Sequence, residues 1–246
     1  MTFDVDLRAP RPDLPGNPDV DLSADLQFAG VALSLRPSGA LWWAAKRLLA
    51  VADLHLGRSE RSARRGGSLL PPYETADTVT RLTAEIAATD PAHILCLGDS
   101  FDDGDVPRGL APQTRAELRD AMGARRWTWV AGNHDPRPTD LPGDWAEALT
   151  LGPLTFRHIA DGPTPAPGQG EVSGHYHPKA RLIHRGRRLC RPCFLADRAR
   201  LVLPAFGTYT GGLLVSDPVF DGLLDPTARA YLTGKRVVSL PKHVLV

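Results

Sequence analysis

The chain contains 246 residues, of which 42% are hydrophobic and 23% are charged, and its formal net charge is +1. This length and composition allow one sizeable hydrophobic core, so a single domain is the expectation, with two small domains as the alternative. A nearly neutral chain excludes nucleic-acid binding through overall charge and leaves only local basic patches for such a role.

The cysteines and the amino-terminal residues indicate a reducing compartment. Cys96, Cys190 and Cys193 are odd in number, and no amino-terminal stretch pairs basic residues with the apolar segment of a signal peptide. We therefore expect a cytoplasmic protein. No apolar run approaches the length of a membrane span, so no membrane partner is expected. The CxxC spacing of Cys190 and Cys193 has no second pair beside it, which argues against structural zinc or a redox role.

The first predicted elements are a leader and then strands. Residues 1–25 are rich in Pro and Asp, and we expect them to be poorly ordered, followed by a single domain over residues 26–246. Apolar runs then predict strands at 26–35, 41–44 and 48–52.

The middle of the chain alternates predicted helices and strands. A helix is expected at 73–88, where apolar residues recur at helical spacing after two prolines, and a second helix at 113–122. Short apolar strands follow each helix, at 93–97 and 127–131. This alternation is typical of an α/β unit.

Beyond residue 151 the pattern changes to short β-like runs around a Gly/Pro-rich loop at 161–170. We interpret this half as a second sheet rather than a second domain. The predicted strands are 154–158, 171–175, 181–184, 201–204 and 213–215.

Polar side chains follow five of the apolar runs. Sites in α/β sheets assemble at the carboxyl ends of strands, so we expect these groups to converge. Taken alone, each has an ordinary explanation, such as a turn at 132–135 or a histidine satisfied in the core, but five coincidences favour a site. The groups are Asp53 and His55; Asp99, Asp102 and Asp103; Asn133, His134 and Asp135; His158; and His175 and His177.

The chemistry of these groups predicts a metal centre. His, Asp and Asn together suit Mn²⁺, Fe²⁺ or Zn²⁺ better than Ca²⁺, which prefers oxygen ligands alone. The number of candidate ligands indicates two ions. Water shared between two such ions would lose a proton near neutral pH.

The same segments resemble the five motifs of the calcineurin-like metallophosphoesterase superfamily, in that family's order. Within it, the sequence is most similar to the ligase-associated DNA damage response endonucleases, the PdeM family, through ADLHLGRSE, LGDSFDD, SGHYHPKARL, LCRPCFLAD and LPAFGTYTGG. The motifs are Asp53-Leu54-His55, Gly98-Asp99-Ser100-Phe101-Asp102, Gly132-Asn133-His134-Asp135, His158 and Gly174-His175-Tyr176-His177.

The resemblance implies an α/β fold, a four-layer α/β/β/α metallophosphoesterase sandwich with two stacked mixed β-sheets. It also implies two divalent ions, with Mn²⁺ as the expectation and Fe²⁺ or Zn²⁺ as alternatives. By the resemblance, Asp99 bridges the two ions. The further ligands are Asp53, His55 and His177 for one ion, and Asn133, His158 and His175 for the other.

The resemblance also assigns catalytic roles. His134 would face the scissile phosphate, where it could protonate the leaving oxygen or stabilise charge. Asp102 would hydrogen-bond His134 and orient it. For Asp135 and Asp103 two readings stay open, contact with groups behind the ligands or satisfaction of loop backbone donors, and neither residue is assigned to catalysis.

Substrate-binding candidates rest on basic and aromatic segments next to the motifs. Either basic run could be plain solvated surface, or it could contact a phosphate backbone. Tyr209 lies in the loop 206–212, which could stack a nucleotide or be a simple turn. The first run contains Arg58, Arg61, Arg64 and Arg65, and the second contains Lys179, Arg181, Arg185, Arg187, Arg188 and Arg191.

Three functions remain in view. The first is a dimetal phosphodiesterase or nuclease that hydrolyses DNA, expected to be an endonuclease in DNA repair, with DNA and, by the family's name, a DNA ligase and a helicase as partners. The second is a phosphodiesterase or phosphatase of small phosphoesters or cyclic nucleotides. The third, a non-catalytic metal-bound scaffold, is disfavoured because no ligand is missing. The sequence does not indicate an oligomeric state.

Overall fold

The structure of the protein, a computed structural model, describes residues 22–64, 66, 73–103, 106, 110–184 and 186–245. Most of the predicted leader therefore lies outside the described residues. The first strand, β1, covers Ala24–Phe28 and so begins slightly before the expected boundary at residue 26.

The first sheet combines an antiparallel and a parallel half. Its seven strands follow one another in chain order across the sheet, antiparallel from β1 to β4 and parallel from β4 to β7. The remaining strands are β2 (Val31–Leu35), β3 (Leu41–Trp43), β4 (Leu48–Val51), β5 (His93–Leu97), β6 (Arg126–Val130) and β7 (Asp144–Ala146).

The run predicted as one strand at 26–35 is a hairpin, and that prediction was wrong. Ala29 and Gly30 have φ values of +47° and +77°, which turn the chain back on itself. A two-residue turn with two positive φ values matches the twist of the strands that it joins. Alanine rarely adopts such a backbone, so the residue pattern did not indicate a turn here.

The helices that accompany the sheets in the described part of the chain include α1 (Arg58–Arg64), α2 (Glu74–Thr89), α3 (Pro112–Met122) and α4 (Val219–Leu223). The predicted helices at 73–88 and 113–122 are confirmed as α2 and α3, with ends shifted by at most one residue. The sequence pattern predicts no helix at α1, where only a basic run is visible. None of the described helices is long and apolar enough to cross a membrane.

The second half of the chain forms a second sheet, as predicted. Its strand order is β15-β14-β12-β13-β10-β9-β8, and β11 pairs with β12. Residues 213–215 contribute only an isolated bridge from Leu214 to Lys179 rather than the expected strand. The strands are β8 (Ala148–Leu151), β9 (Leu154–Arg157), β10 (Gly170–Ser173), β11 (Lys179–His184), β12 (Arg187–Ala196), β13 (Arg200–Val202), β14 (Arg229–Leu232) and β15 (Val238–Pro241).

Alternation along the central strands builds the layers. In β4, Leu49 and Val51 face the helices, whereas Leu48 and Ala50 face the second sheet, because successive side chains point to opposite faces. Phe220 of α4 covers the outer face of the second sheet. The predicted α/β/β/α sandwich is thus confirmed, and both sheets deliver strand ends to one rim.

Candidate metal centre

All of the predicted metal ligands converge where strands of the two sheets end. Among the described residues, three groups have ligand atoms within 4.8 Å of one another: one combines His55 with Asp102 and His134, and the other two lie within the two predicted ligand sets. Most side chains of these two groups are buried, so their carboxylates and imidazoles need partners inside the protein. The first group is Asp53, His55 and His177, and the second is Asp99, His158 and His175.

Asp99 lies between the two groups. Its Oδ2 is 3.9 Å from His55 Nε2 in the first group and 3.4 Å from His158 Nε2 in the second. The Asn133 side-chain oxygen lies 3.0 Å from the same His158 nitrogen, which places Asn133 beside the second group. This arrangement agrees with the bridging position expected for Asp99, and the assignment of ligands to individual ions stays a prediction.

Two of the histidines are held in the form that a metal ligand requires. His158 donates Nδ1–H to the carbonyl of Leu97 at 2.9 Å, and His55 donates Nδ1–H to Asp102 Oδ1 at 2.9 Å. A hydrogen bond that keeps a proton on Nδ1 makes Nε2 the nitrogen that can bind a metal, and such outer partners orient metal-binding imidazoles. Both Nε2 atoms point toward the carboxylates of the cluster.

Two buried histidine nitrogens without hydrogen bonds indicate that metal ions fit this site. Among the described side chains, His55 Nε2 and His177 Nε2 are buried and have no hydrogen-bond partner. His177 Nε2 lies 3.2 Å from Asp53 Oδ1 without forming a hydrogen bond. Leaving a buried polar atom unsatisfied costs about 1–3 kcal/mol. Divalent transition-metal ions would satisfy these nitrogens, and the mixture of His, Asp and Asn suits such ions.

The carboxylates and imidazoles also perturb one another. Burial would raise the pKa of Asp99, but the hydrogen bond from His158 and the charges of His158 and His134 hold that pKa below its usual value. Burial would lower the pKa of His158, but its hydrogen bond to Asp99 and the charge of Asp53 raise it. Asp99 and His158 thus favour each other's charged forms, and metal ions would compete with protons for the same atoms.

The backbone of the cluster is unusual because five predicted ligands have left-handed conformations. Each such residue costs on the order of 1–3 kcal/mol and persists only where its surroundings hold it in place. The five residues and their φ values are Asp53 (+53°), His55 (+45°), Asp99 (+45°), His175 (+68°) and His177 (+45°).

Two glycines allow these surroundings to pack closely. A Cβ on Gly132 would lie 2.1 Å from the backbone nitrogen of Asp99, and a Cβ on Gly174 would lie 2.5 Å from Asp53 Oδ2. Neither position has room for a side chain. The glycines of the motifs thus keep the ligand loops in contact with one another.

Asp135 holds two of these loops together. Its Oδ1 accepts hydrogen bonds from the backbone N–H groups of Gly132 and Asp99, and its Oδ2 accepts from Ser100 and Phe101, over distances of 2.8–3.1 Å. Of the two readings left open for Asp135, the loop-donor reading is correct. Its importance was missed because only the fold shows that the donors come from two segments.

His134 is oriented by Asp102, but not through the expected atoms. His134 donates Nδ1–H to the backbone carbonyl of Asp102 at 2.9 Å, whereas the Asp102 carboxylate lies 4.0 Å from that nitrogen. The carboxylate instead accepts hydrogen bonds from His55 and from Arg61, whose Nη1 is 2.8 Å away. Burial would raise the pKa of Asp102, but these two hydrogen bonds lower it.

The position of the Asp102 carboxylate is set by a contact between two distant segments. The backbone N–H of Asp102 donates to Leu56 O at 3.0 Å, next to His55 in the chain, and the carboxylate meets His55 Nδ1. His134 keeps Nε2 at the edge of the cluster, 4.0 Å from Asp99 Oδ2, with 26% of its side chain exposed. It can therefore reach both the cluster and a bound substrate.

Helix α1 brings two of the candidate arginines to this edge. Besides the Arg61 contact, Arg58 Nη1 lies 3.6 Å from Asp102 Oδ1. The helix is fixed by Ser59, whose N–H and hydroxyl both donate to the buried Glu74. Arg58 and Arg61 are thus part of the site rather than free surface. The side chain of Arg64 and all of Arg65 lie outside the described residues.

The remaining substrate candidates lie away from the ligands. Tyr209 is 44% exposed and makes no hydrogen bond or ring contact with any described ligand. Cys193 is buried and Cys190 is exposed, and the two are not joined. The second basic run lies on β11 and β12, where Lys179 is half-buried and Arg181, Arg187, Arg188 and Arg191 are exposed.

Comparison with known proteins identifies the family of this chain. The model of the calcineurin-like phosphoesterase family matches residues 46–192. The chain is similar to the crystal structure of the Pseudomonas putida nuclease MPE, with a TM-score of 0.66 and 30% identity over 89% of this chain and 100% of that one.

A second solved structure is much less similar. A phosphoesterase-like protein from Streptococcus pneumoniae aligns with 79% of this chain and 96% of its own, at 11% identity and a TM-score of 0.30. No protein with a curated description matches the sequence. From the family match and the converging His and Asp side chains, the chain belongs to the calcineurin-like phosphoesterase family, metal-dependent enzymes with dimetal centres.

Proposed function

We propose that this phosphoesterase is a Mn²⁺-dependent nuclease that hydrolyses phosphodiester bonds of DNA and cuts internal bonds during DNA repair. The observation that carries the proposal is His134, an imidazole fixed at Nδ1 with its Nε2 next to the candidate metal ligands and open to substrate. The similarity to the nuclease MPE, which extends over that protein's whole length, supports a nucleic-acid substrate.

The described side chains provide a place for two ions. Asp53, His55 and His177 would hold one ion, and Asn133, His158 and His175 the other, with Asp99 shared between them. When bound, such ions offset charge on phosphate oxygens and make water a stronger nucleophile near neutral pH.

His134 would act on the leaving group. Because the Asp102 carbonyl can only accept a hydrogen bond, Nδ1 carries a hydrogen, and Nε2 is the atom that exchanges a proton with substrate. A protonated Nε2 could donate to the oxygen that departs when the phosphodiester is cut. The same N–H would also stabilise charge on that oxygen as it develops.

Arg58 and Arg61 would steer the substrate. Their side chains are 30% and 23% exposed, so each stays partly accessible while it forms an ion pair with Asp102. Guanidinium groups bind phosphate oxygens well because of their planar array of donors. Phosphates next to the scissile bond would therefore meet positive charge at the entrance to the site.

The wider role follows from the family resemblance. We place the enzyme in the cytoplasm as a single domain over residues 26–246, with DNA as its substrate and a DNA ligase and a helicase as functional partners. These assignments depend on the nuclease activity, which can be tested directly.

The test uses closed circular DNA, which has no ends. Circular plasmid and circular single-stranded DNA are incubated with the protein in Mn²⁺ or in EDTA, and His134→Ala serves as the control for a contaminating nuclease. Nicked or linear products from the unchanged protein in Mn²⁺ alone are expected. Their rate with each circle gives the strand preference.

The opposite result has a defined meaning. If the circles stay intact while a small chromogenic phosphodiester is hydrolysed, the substrate is a small phosphoester or cyclic nucleotide rather than DNA. Failure to hydrolyse either substrate, with two ions bound, would favour a metal-bound scaffold.

A further inference from the structure

A second concave surface lies beside the metal centre. The cavity has a volume of about 780 Å³, within the range of pockets that hold small molecules or parts of larger ligands. Its walls come from the loop 204–210, from strands β11 and β12, and from the turn between β14 and β15. We call this surface the basic cavity.

The basic cavity shares a wall with the candidate active site. The N–H of Phe206 donates to Ala52 O at 2.8 Å, and the N–H of Gly207 donates to Asp53 O at 3.0 Å. On the other side, the N–H of Lys179, two residues beyond His177, donates to Leu213 O at 2.8 Å. A strand that leaves the metal centre over this wall would enter the basic cavity.

The charge of the basic cavity has one sign. Among the described residues that line it there are five cations and no carboxylate. Arg81 stacks on Phe206 and pairs with Asp77, and Lys179 Nζ donates to Thr210 O. The other three are Arg191, Lys235 and Arg236.

These three cations are available for a ligand. Their side chains are exposed and make no hydrogen bond or ion pair with any described residue. Thr233 donates its N–H to Pro192 O at 2.9 Å, so the turn that carries Lys235 and Arg236 lies beside Arg191. The three positive groups therefore cluster at one rim.

Apolar and aromatic side chains also line the basic cavity. Leu182, Leu189 and Leu232 contribute apolar surface, and Tyr209 contributes an aromatic ring with 44% of the residue exposed. A positively charged groove with an aromatic side chain suits unpaired nucleic acid, because the bases stack while the phosphates meet the cations.

We infer that the basic cavity binds an unpaired stretch of the nucleic-acid strand that flanks the bond being cut. This inference rests on the proposed nuclease function, since the flanking strand is defined by the cleavage site. The cations would contact phosphates, which carry no sequence information, so the site would hold strands of any sequence.

Direct binding tests the inference without requiring cleavage. The probe is a fluorescein-labelled single strand of about 20 nucleotides, longer than the roughly 4–16 nucleotides that one such site covers. Its affinity for the full chain is measured by anisotropy in EDTA. A cleavage-resistant phosphorothioate strand is used in parallel with Mn²⁺-loaded protein.

The decisive variant removes two cations from the rim. Lys235→Ala/Arg236→Ala should weaken binding roughly 25-fold at about 0.1 M salt. It should also lower the slope of log affinity against log salt concentration by about 1.4, because each lost phosphate contact changes that slope by about 0.7 for single strands. The matched control is Arg119→Ala/Arg198→Ala, which removes two exposed cations outside the basic cavity. The affinity of this control should stay within about twofold of that of the unchanged protein, because surface charges act only over short distances in salt.

Aromatic stacking gives a second readout. Tyr209→Ala should lose about tenfold in affinity, whereas Tyr209→Phe should keep most of it, because a phenyl ring still stacks on a base. Equal losses in the two variants would remove stacking from the inference.

Other outcomes overturn the inference itself. Equal affinity in the Lys235→Ala/Arg236→Ala protein and its control, or no strand binding at all, would show that the basic cavity does not hold nucleic acid. Displacement of the strand by polyglutamate of equal charge would identify a general anion or acidic-peptide site. If the circles stay uncut but strand binding still depends on Lys235 and Arg236, the nuclease function is rejected. The inference that the basic cavity binds a nucleic-acid strand would then still stand.

Discussion

The metal centre and the basic cavity share a wall, yet they are built in opposite ways. In the metal centre, charged groups are buried, contact one another and sit on strained backbone. In the basic cavity, the three rim cations are exposed and have no partner among the described residues. A buried charge depends on all of its neighbours, whereas an exposed cation acts almost alone.

This difference teaches what each surface can do. Reaction chemistry needs groups fixed within fractions of an ångström, and the interlocked hydrogen bonds of the metal centre provide that precision. Holding a long, variable strand needs many weak contacts that tolerate movement. Substitutions should therefore have large, interdependent effects in the metal centre and small, independent effects in the basic cavity.

The largest effect is expected for Asp99→Asn. The shared carboxylate lies within 4 Å of a histidine of each group, and its loss should empty both metal positions. Ions contribute several kcal/mol to transition-state stabilisation, so turnover should fall by at least roughly 10³-fold. Metal content by mass spectrometry and turnover of a chromogenic diester check this. Asp120→Asn, an exposed carboxylate on α3, is the control, and two ions retained by Asp99→Asn would disprove the shared position.

His134→Ala should come next, with metals kept and turnover reduced roughly 10²–10⁴-fold, the usual contribution of a general acid. The metals stay because the Nε2 of His134 belongs to the edge of the cluster rather than to either predicted ligand set. His243→Ala, an exposed histidine near the carboxyl end, is the matched control. Turnover equal to that of the unchanged protein would remove His134 from the mechanism.

Asp102→Asn should have an intermediate effect, a loss of about 10–100-fold in metal affinity or activity, as for other groups that orient metal ligands. The carboxylate faces His55, while the carbonyl that holds His134 is kept in this variant. Excess Mn²⁺ should therefore restore part of the turnover. If saturating Mn²⁺ does not restore turnover, the Asp102 side chain orients His134 instead, as the sequence analysis expects.

The smallest effect is expected for Arg191→Ala in the basic cavity. Loss of one phosphate contact should weaken single-strand binding roughly fivefold at about 0.1 M salt and lower the salt slope by about 0.7. Its effect should add to that of Lys235→Ala/Arg236→Ala, because separate contacts release separate ions. Arg198→Ala is the control. Strong non-additivity would mean that the basic cavity is organised like the metal centre.

The contrast also explains which features the sequence could predict. The ligands could be identified because each follows an apolar run, and the end of a strand brings distant residues to one rim. Helices α2 and α3 could be predicted because their apolar spacing is regular. These signals are local, and each can be read within about a dozen residues.

The rest depends on contacts between distant segments. The partners of the Asp102 carboxylate and the four backbone donors around Asp135 are set by loops that meet only in the fold. Strand β12 was missed because the first half of Arg187–Ala196 is largely exposed and shows no alternation. Lys235 and Arg236 lie far along the chain from every motif, so no pattern connected them with the site.

The close packing of Gly207 makes the metal centre depend on a late part of the chain. A Cβ at this position would lie 2.1 Å from Leu54 O, so the loop that contains Gly207 presses directly on the first motif. A fragment trimmed to residues 46–192, the part that matches the family model, keeps every predicted ligand and lacks this loop. We expect such a fragment to be inactive. On the ribosome, the first motif would gain this support only after residue 207 has been synthesised, so the metal centre would become fully formed later than the last of its predicted ligands, His177.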